Sequence, residues 1–288
     1  MVGFLMRLMD AQSGWARPLG DFNKRWIGAI YRPLGPIEDL AHGHWLGHPV
    51  HAATTDIPIG ALTVTIVLDL LGQRYAADVA LVIGILAMLA SAVVGAADYS
   101  DTDGTALQRA TIHSTIMVVA LVVYLVSLAM RAGDPADRSV PVVLSILAYL
   151  ILLAGAWVGG DVVYVLGNMV SRHAFRGAGA KWLPLEIEGG LGLADLPEGQ
   201  PVRGKLGINN LVLLRQGETV NALHETCAHA GGPLAQGKVV DGCIQCPWHG
   251  SRFRLSDGLA QRGPTVYDQP RYEVRTGESG LEARRVAG

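Results

Sequence analysis

The sequence predicts a two-part chain, an all-α four-helix transmembrane bundle followed by a small all-β domain. Three observations predict it. Four long apolar stretches occupy the region between residues 57 and 166. From about Trp182 onward, short β-type runs alternate with glycine-rich breaks. All three cysteines lie between residues 227 and 246, inside that second part. The bulk composition agrees: half of the 288 residues are hydrophobic, 17% are charged and the mean hydropathy is +0.31. A formal net charge of −2 implies no nucleic-acid partner. So few thiols in one short segment argue against a secreted disulfide framework and for a metal site.

The elements follow in order. Met1–Asp10 is short and interrupted by Arg7, so it lacks the apolar run of a secretory signal, and no twin-arginine pair is present. Residues 1–55 are mixed, with Trp15, Trp26 and Trp45 among Gly, Pro and His; residues 1–44 read as an interfacial or cytoplasmic arm. Residues 45–170 read as the membrane domain. Its apolar stretches are Ile57–Leu71, Ala77–Ala97, Ala110–Met130 and Val142–Gly160, the last running on to Leu166. Three approach the ~20 residues that cross a hydrocarbon core. The first is short, so it needs extension by its neighbours or a thinned bilayer. Ala87, Ser91 and Gly95 in the second stretch, and Gly155 and Gly159 in the fourth, recur at four-residue spacing. Such faces allow close helix approach in lipid.

Four spans put both ends of the bundle on one side. The arm, the second loop and the exit segment carry nine Lys/Arg against three in the other two loops. The positive-inside rule then places both termini in the cytoplasm, with the chain a multi-pass protein of the inner membrane. Residues 171–181 read as a basic linker and residues 182–288 as the β domain. Its β-type runs are Val202–Leu206, Leu211–Leu214, Thr219–Leu223, Val239–Val240, Ser251–Leu255 and Tyr272–Arg275.

The chemistry concentrates in two short segments, Cys227-Ala-His229 and, after sixteen residues, Cys246-Pro-Trp-His249-Gly-Ser. Each supplies one thiolate and one imidazole. Two loops so armed can grip a two-iron cluster, with the thiolates on one iron and the imidazoles on the other. Neutral imidazoles in place of thiolates remove negative charge and ease electron uptake. Gly231-Gly232-Pro233 and Gly250 permit the tight turns required. Two Cys and two His also suit zinc.

Residues 182–283, through Cys227-Ala-His229-Ala-Gly-Gly-Pro-Leu and Cys246-Pro-Trp-His249-Gly-Ser-Arg-Phe, resemble a Rieske ferredoxin domain. The resemblance implies an all-β fold with a 2Fe–2S cluster at an exposed tip of two loops, and Pro247 and Trp248 shielding it. Respiratory members of that family join the two loops by a disulfide. Here Gly232 and Trp248 stand in those regions, so this domain is closer to the ferredoxins and oxygenase-type domains, which work at low potential. Phe253 stands where respiratory members carry a tyrosine donor, while Ser251 can still supply a hydroxyl. Cys243 is a spare thiol on an expected strand, read as a small buried apolar residue.

A complete Rieske oxygenase is not expected, because it needs a second, mononuclear iron domain after the cluster and the chain ends at Gly288. The membrane domain carries its own polar residues. His48, His51, His113, Asp56, Asp98 and Asp161 all fall near the helix ends on the terminus side. They are candidates for binding haem b or a quinone. Asp56 also suits a helix start, and Asp98 and Asp161 suit helix ends. Residues 45–167, through His48-Pro-Val-His51, Asp56 and Gly95-Ala-Ala-Asp98, resemble an uncharacterised family of bacterial four-helix membrane domains, which implies an architecture and no mechanism.

The leading expectation is therefore electron transfer, from a soluble redox donor through the cluster to an acceptor in or beside the membrane domain. The alternatives are a haem- or quinone-linked membrane oxidoreductase and an anchored redox sensor without turnover. Expected partners are a redox protein and membrane lipid, and the sequence is compatible with a homo-oligomer.

Overall fold

The computed structural model describes residues 2–174, 181–278 and 280–286. The expected linker 171–181 therefore falls largely outside the described residues. The chain forms two compact units, residues 1–41 with 49–168, and residues 42–48 with 169–288. The second unit thus takes in His42–His48, which the sequence divides between arm and membrane domain.

The first unit is helical. Its arm is ordered into α1 (Val2–Asp10), α2 (Ser13–Tyr31) and α3 (Pro36–His42). Two short and long helices, α4 (Val50–Thr54) and α5 (Asp56–Leu70), run on from one another. Then come α6 (Arg74–Ser100), α7 (Gly104–Arg131) and α8 (Ser139–Gly160), with a π-turn at Asp161–Val165 continuing α8. Among the described residues, four segments are long and apolar enough to cross a membrane: Val50–Leu70, Arg74–Ser100, Gly104–Arg131 and Ser139–Val165. The short first stretch is completed by α4, which brings it to 21 residues. Helices suit this setting because they satisfy every interior backbone group within one segment.

The helices are antiparallel and close into a bundle, with α5 on α6, α7 on α8, and cross-contacts between α5 and α8 and between α6 and α7. Leu62, Leu81, Ile85, Met88, Tyr124 and Leu152 fill its centre. Small residues set the spacing. A Cβ at Gly84 would lie 2.5 Å from Leu62, and one at Gly155 would lie 2.7 Å from Met117. Val64, Leu86, Val122 and Leu150 point outward, the surface expected to meet lipid.

Charges at the two ends are paired. At the α5–α6 turn, Arg131 meets Asp69 at 2.6 Å and Asp78 at 3.1 Å, and Arg138 meets Asp78 at 2.9 Å. At the other end Arg109 lies between Asp10 at 2.6 Å and Asp161 at 3.0 Å. There α2 packs on α6 and α7. A Cβ at Gly20 would meet Thr111 at 2.7 Å, so α2 approaches α7 closely.

The second unit is all-β. A seven-stranded antiparallel sheet has the order β1 (Leu183–Pro184), β11 (Gly280–Arg285), β10 (Arg271–Gly277), β5 (Thr219–His224), β4 (Asn209–Gln216), β3 (Val202–Leu206), β2 (Glu186–Ile187). A four-stranded sheet runs β6 (Lys238–Val240), β7 (Cys243–Gln245), β8 (Arg252–Arg254), β9 (Ala260–Arg262). One apolar core lies among β2, β3, β4, β10 and β11 and includes Leu185, Leu206, Leu213 and Tyr272. The other gathers Val212, Leu223, Leu234, Ile244 and Phe253 around Cys227 and Cys246.

Candidate metal centre

Two loops build the site. The first leaves β5, and the second joins β7 to β8. In the first, the Cys227 N–H donates to Gly232 O at 2.9 Å and the Gly231 N–H to Cys227 O at 3.0 Å, closing a tight turn in which Gly231 has φ +86°. In the second, the Cys246 N–H donates to Ser251 O at 2.8 Å and the Gly250 N–H to Cys246 O at 3.1 Å. The same pattern thus holds both cysteines at the base of their turns.

Gln269 braces the first loop from β10's side. Its side-chain amide donates to His224 O at 2.6 Å and to Thr226 O at 2.7 Å, while its oxygen accepts from the Ala228 N–H at 2.9 Å. Ser251 braces the second: it is fully buried, and its hydroxyl oxygen accepts from the Thr265 N–H at 3.2 Å. Neither brace is readable from the metal-ligand pattern, since both act on backbone atoms.

The four expected ligands converge. The rings of His229 and His249 have centroids 5.0 Å apart and are nearly perpendicular, at 89°. The thiols of Cys227 and Cys246 hydrogen-bond to one another. That shared proton pushes the Cys227 thiol well up, with burial adding to the effect, and holds Cys246 down at about 7. Each sulfur also faces two backbone N–H groups, those of His229 and Ala230 at Cys227 and those of Trp248 and His249 at Cys246. Donors so placed stabilise thiolate, the form that binds iron. All three cysteines are free thiols. The paired thiols and the paired imidazoles fit the donor set of a 2Fe–2S cluster with one Cys-ligated and one His-ligated iron.

The loops meet where the sequence places Gly232 and Trp248. A Cβ at Gly232 would lie 2.8 Å from the Cys246 sulfur and 3.0 Å from the Trp248 ring. The indole therefore packs close against Gly232, on the approach shared with the Cys246 sulfur, while Trp248 stays 58% exposed. Phe253 is fully buried behind both cysteines. Cys243 is buried on β7, where desolvation pushes its thiol up. His224 ends β5, accepts from the Thr226 N–H at 3.1 Å and lies against His173, with ring centroids 4.5 Å apart.

The structure separates the membrane candidates. His51 and His113 come together, with ring centroids 6.3 Å apart. Asp161 instead neutralises Arg109. Asp56 is exposed at the first turn of α5, and Asp98 is buried near the end of α6. His48 is exposed and falls in the second unit. Among the described residues, no group of three or more His, Cys, Asp or Glu donors includes any of these six.

The anthranilate 1,2-dioxygenase ferredoxin subunit of Burkholderia cepacia is 26% identical over 103 residues, covering 36% of this chain and 91% of that protein. Apoptosis-inducing factor 3 of Homo sapiens is 32% identical over 81 residues, 28% of this chain; the chain spans only 13% of that relative's length. Among solved structures, the ferredoxin of carbazole 1,9a-dioxygenase from Nocardioides aromaticivorans IC177 aligns with a TM-score of 0.32 and 24% identity, over 35% of this chain and 97% of that one. Residues 191–273 match the Rieske [2Fe-2S] domain and residues 47–172 match a predicted membrane protein family, DUF2231. The chain therefore carries a DUF2231 membrane domain of four apolar helices followed by an all-β Rieske [2Fe-2S] domain.

Proposed function

We propose that the chain is a membrane-bound electron-transfer protein, carrying one electron at a time between a soluble donor and a membrane-associated acceptor. The observation that carries this reading is the convergence of Cys227, Cys246, His229 and His249 on two matched turns. When bound there, the cluster supplies a one-electron couple whose potential follows its ligand charge and the hydrogen bonds to its sulfurs. The residues do the rest. Cys227 and Cys246 would hold one iron and His229 and His249 the other. The four backbone N–H groups at the two sulfurs lower the cost of extra negative charge. Trp248 shields one sulfur, and the burial of His229, only 5% exposed, limits water on that side.

Ferredoxin-type relatives support a soluble redox partner. The lysine and arginine distribution supports an inner-membrane orientation with the N-terminus and Rieske domain in the cytoplasm. A reporter fused after Gly288 tests this: a periplasm-dependent phosphatase should stay inactive there, and an active one overturns the orientation.

The central test is an EPR spectrum of the detergent-purified, dithionite-reduced full chain. A Rieske signal that vanishes in Cys246→Ser supports the reading. A metal-replete anaerobic preparation with stoichiometric zinc and no iron–sulfur signal sinks it.

A further inference from the structure

A second pair of imidazoles lies in the helical unit. His51 stands in α4 and His113 in α7, and both are partly buried. The Nδ1 of His51 is 2.9 Å from Ser91 O, and the Nδ1 of His113 is 2.8 Å from Gly155 O. A carbonyl oxygen only accepts, so Nδ1 carries the proton in each neutral ring and Nε2 keeps a lone pair. Neither ring can then donate Nε2–H to the other, although their centroids are 6.3 Å apart with planes at 74°.

Each ring also has a prepared seat. Gly95 follows Ser91 by one helical turn, and a Cβ there would lie 2.7 Å from His51 Nδ1. Gly159 follows Gly155 by one turn, and a Cβ there would lie 3.0 Å from His113. The device occurs twice: a histidine on one helix, a carbonyl on another (α6 for His51, α8 for His113) to take its Nδ1–H, and a glycine one turn later to make room for the ring. The small residues at four-residue spacing are therefore imidazole seats as well as helix contacts.

We propose that His51 and His113 are the two axial ligands of one haem iron bound in the membrane domain. The spacing fits. A metal–nitrogen bond of about 2.0–2.1 Å, plus roughly 1.1–1.2 Å from nitrogen to ring centre, separates two trans imidazole centroids by about 6.2–6.6 Å. The donor count fits as well. No third His, Cys, Asp or Glu donor groups with either ring among the described residues. A bare zinc ion would lack half of its four ligands, whereas haem brings its own in-plane nitrogens and asks the protein only for axial ones. The tautomer fits a metal and not a quinone: a quinone carbonyl needs a donor, and Nε2 here offers only a lone pair. The Nδ1–H bonds to Ser91 O and Gly155 O are what metal-bound imidazoles ordinarily make to fix tautomer and orientation.

The site deepens the electron-transfer reading by naming its membrane acceptor, and in that role it rests on that reading. Its capacity to bind haem stands on the helical unit alone. Reduction takes one electron from ferric to ferrous iron, with no bond made or broken.

The experiment uses the full chain, expressed with haem precursor supplied and purified in detergent. The expected result is a Soret band, a sharp α-band on dithionite reduction and about one b-type haem per chain by pyridine haemochrome. His51→Ala and His113→Ala should each lower haem content at least tenfold, with the Rieske EPR signal unchanged as proof of folding. Gly95→Ala and Gly159→Ala press on the rings without removing them and should shift the ferric low-spin EPR signal. Wild-type protein that holds its cluster but no haem overturns the proposal. Haem retained by both histidine variants overturns it too, as does stoichiometric copper or zinc lost on their substitution. Haem present without any Rieske signal defeats the electron-transfer reading and leaves this site standing.

Discussion

The two histidine pairs of this chain are held at different spacings, 5.0 Å between His229 and His249 and 6.3 Å between His51 and His113. In the β domain each histidine sits on a turn beside a cysteine, and the two rings meet nearly at right angles. In the bundle each ring is pinned by Nδ1 to a carbonyl of another helix, His51 to Ser91 of α6 and His113 to Gly155 of α8. Two imidazoles on one tetrahedral iron, with metal–nitrogen bonds of about 2.0–2.1 Å, bring their centroids to about 5 Å. Two trans imidazoles stand farther apart. For the two proposed centres, the centroid spacing would set the angle at the metal, which sequence spacing does not. His229 and His249 are twenty residues apart and His51 and His113 sixty-two, yet neither number carries that angle.

Removing one centre and watching the other tests most directly whether the two pairs act independently. Cys246→Ser should abolish the Rieske EPR signal completely and leave the optical spectrum of the bundle site as in wild type. If both signals vanish together, the two sites are not independent and the division into two chemistries fails. His249→Cys is the next strongest. It keeps four ligands but replaces a neutral imidazole with a thiolate, adding negative charge to the cluster. The g-values characteristic of mixed Cys/His ligation should be lost, and any cluster that assembles should reduce at markedly lower potential in a redox titration. An unchanged EPR spectrum would remove His249 from the ligand set.

A third change separates ligating polar residues from pairing ones inside the bundle. Asp69→Asn leaves Asp78 as the carboxylate partner of the Arg131 guanidinium, beside the Ser127 and Ser145 hydroxyls, in surroundings where Asp69 and Arg131 side chains are 3% and 2% exposed. Breaking a buried ion pair costs about 3–5 kcal/mol. Because Asp78 remains, the lower end is expected, and a detergent unfolding titration should show it with both metal signals intact. A loss of haem in this variant would mean that the charged end and the histidine end are coupled.

The sequence carried some of this and hid the rest for physical reasons. Hydropathy marked the spans because lipid demands a near-continuous apolar surface. It left α2 unread: Gly14, Pro18, Gly20 and Gly28 interrupt that segment, and its helix is stabilised by packing on α6 and α7. Strands β3, β4, β5 and β10 were legible from their apolar runs. Strands β9 (Ala-Gln-Arg) and β11 (Gly-Leu-Glu-Ala-Arg-Arg) were not, because they are short or polar and exist through pairing with β8 and β10. The candidates for the cluster site were legible from side-chain identity, and the structure brings His229 to His249 and Cys227 to Cys246. The seats of His51 and His113 were not, because a carbonyl at Ser91 or Gly155 has no letter of its own.

The smallest effect concerns the thiol that takes part in neither centre. Cys243 lies on β7 only three residues before Cys246, yet its sulfur contacts Asp241 O at 3.7 Å and not the cluster turn. Cys243→Ala should leave the EPR signal unchanged and remove one titrating group. Burial raises the Cys243 thiol above its ordinary value of 9.0. A raised folded-state value means that the native fold favours the neutral thiol. Its contribution is therefore fully present below the unfolded value and is lost as pH rises past it. Thermal melts of wild type and Cys243→Ala should run parallel between pH 7 and 8.5, while above about pH 9 the wild type should fall more steeply. Parallel curves throughout would mean that Cys243 ionises as freely in the fold as in the unfolded chain. That result would contradict its burial on β7, and with it the separation of the spare thiol from the two that meet at the cluster.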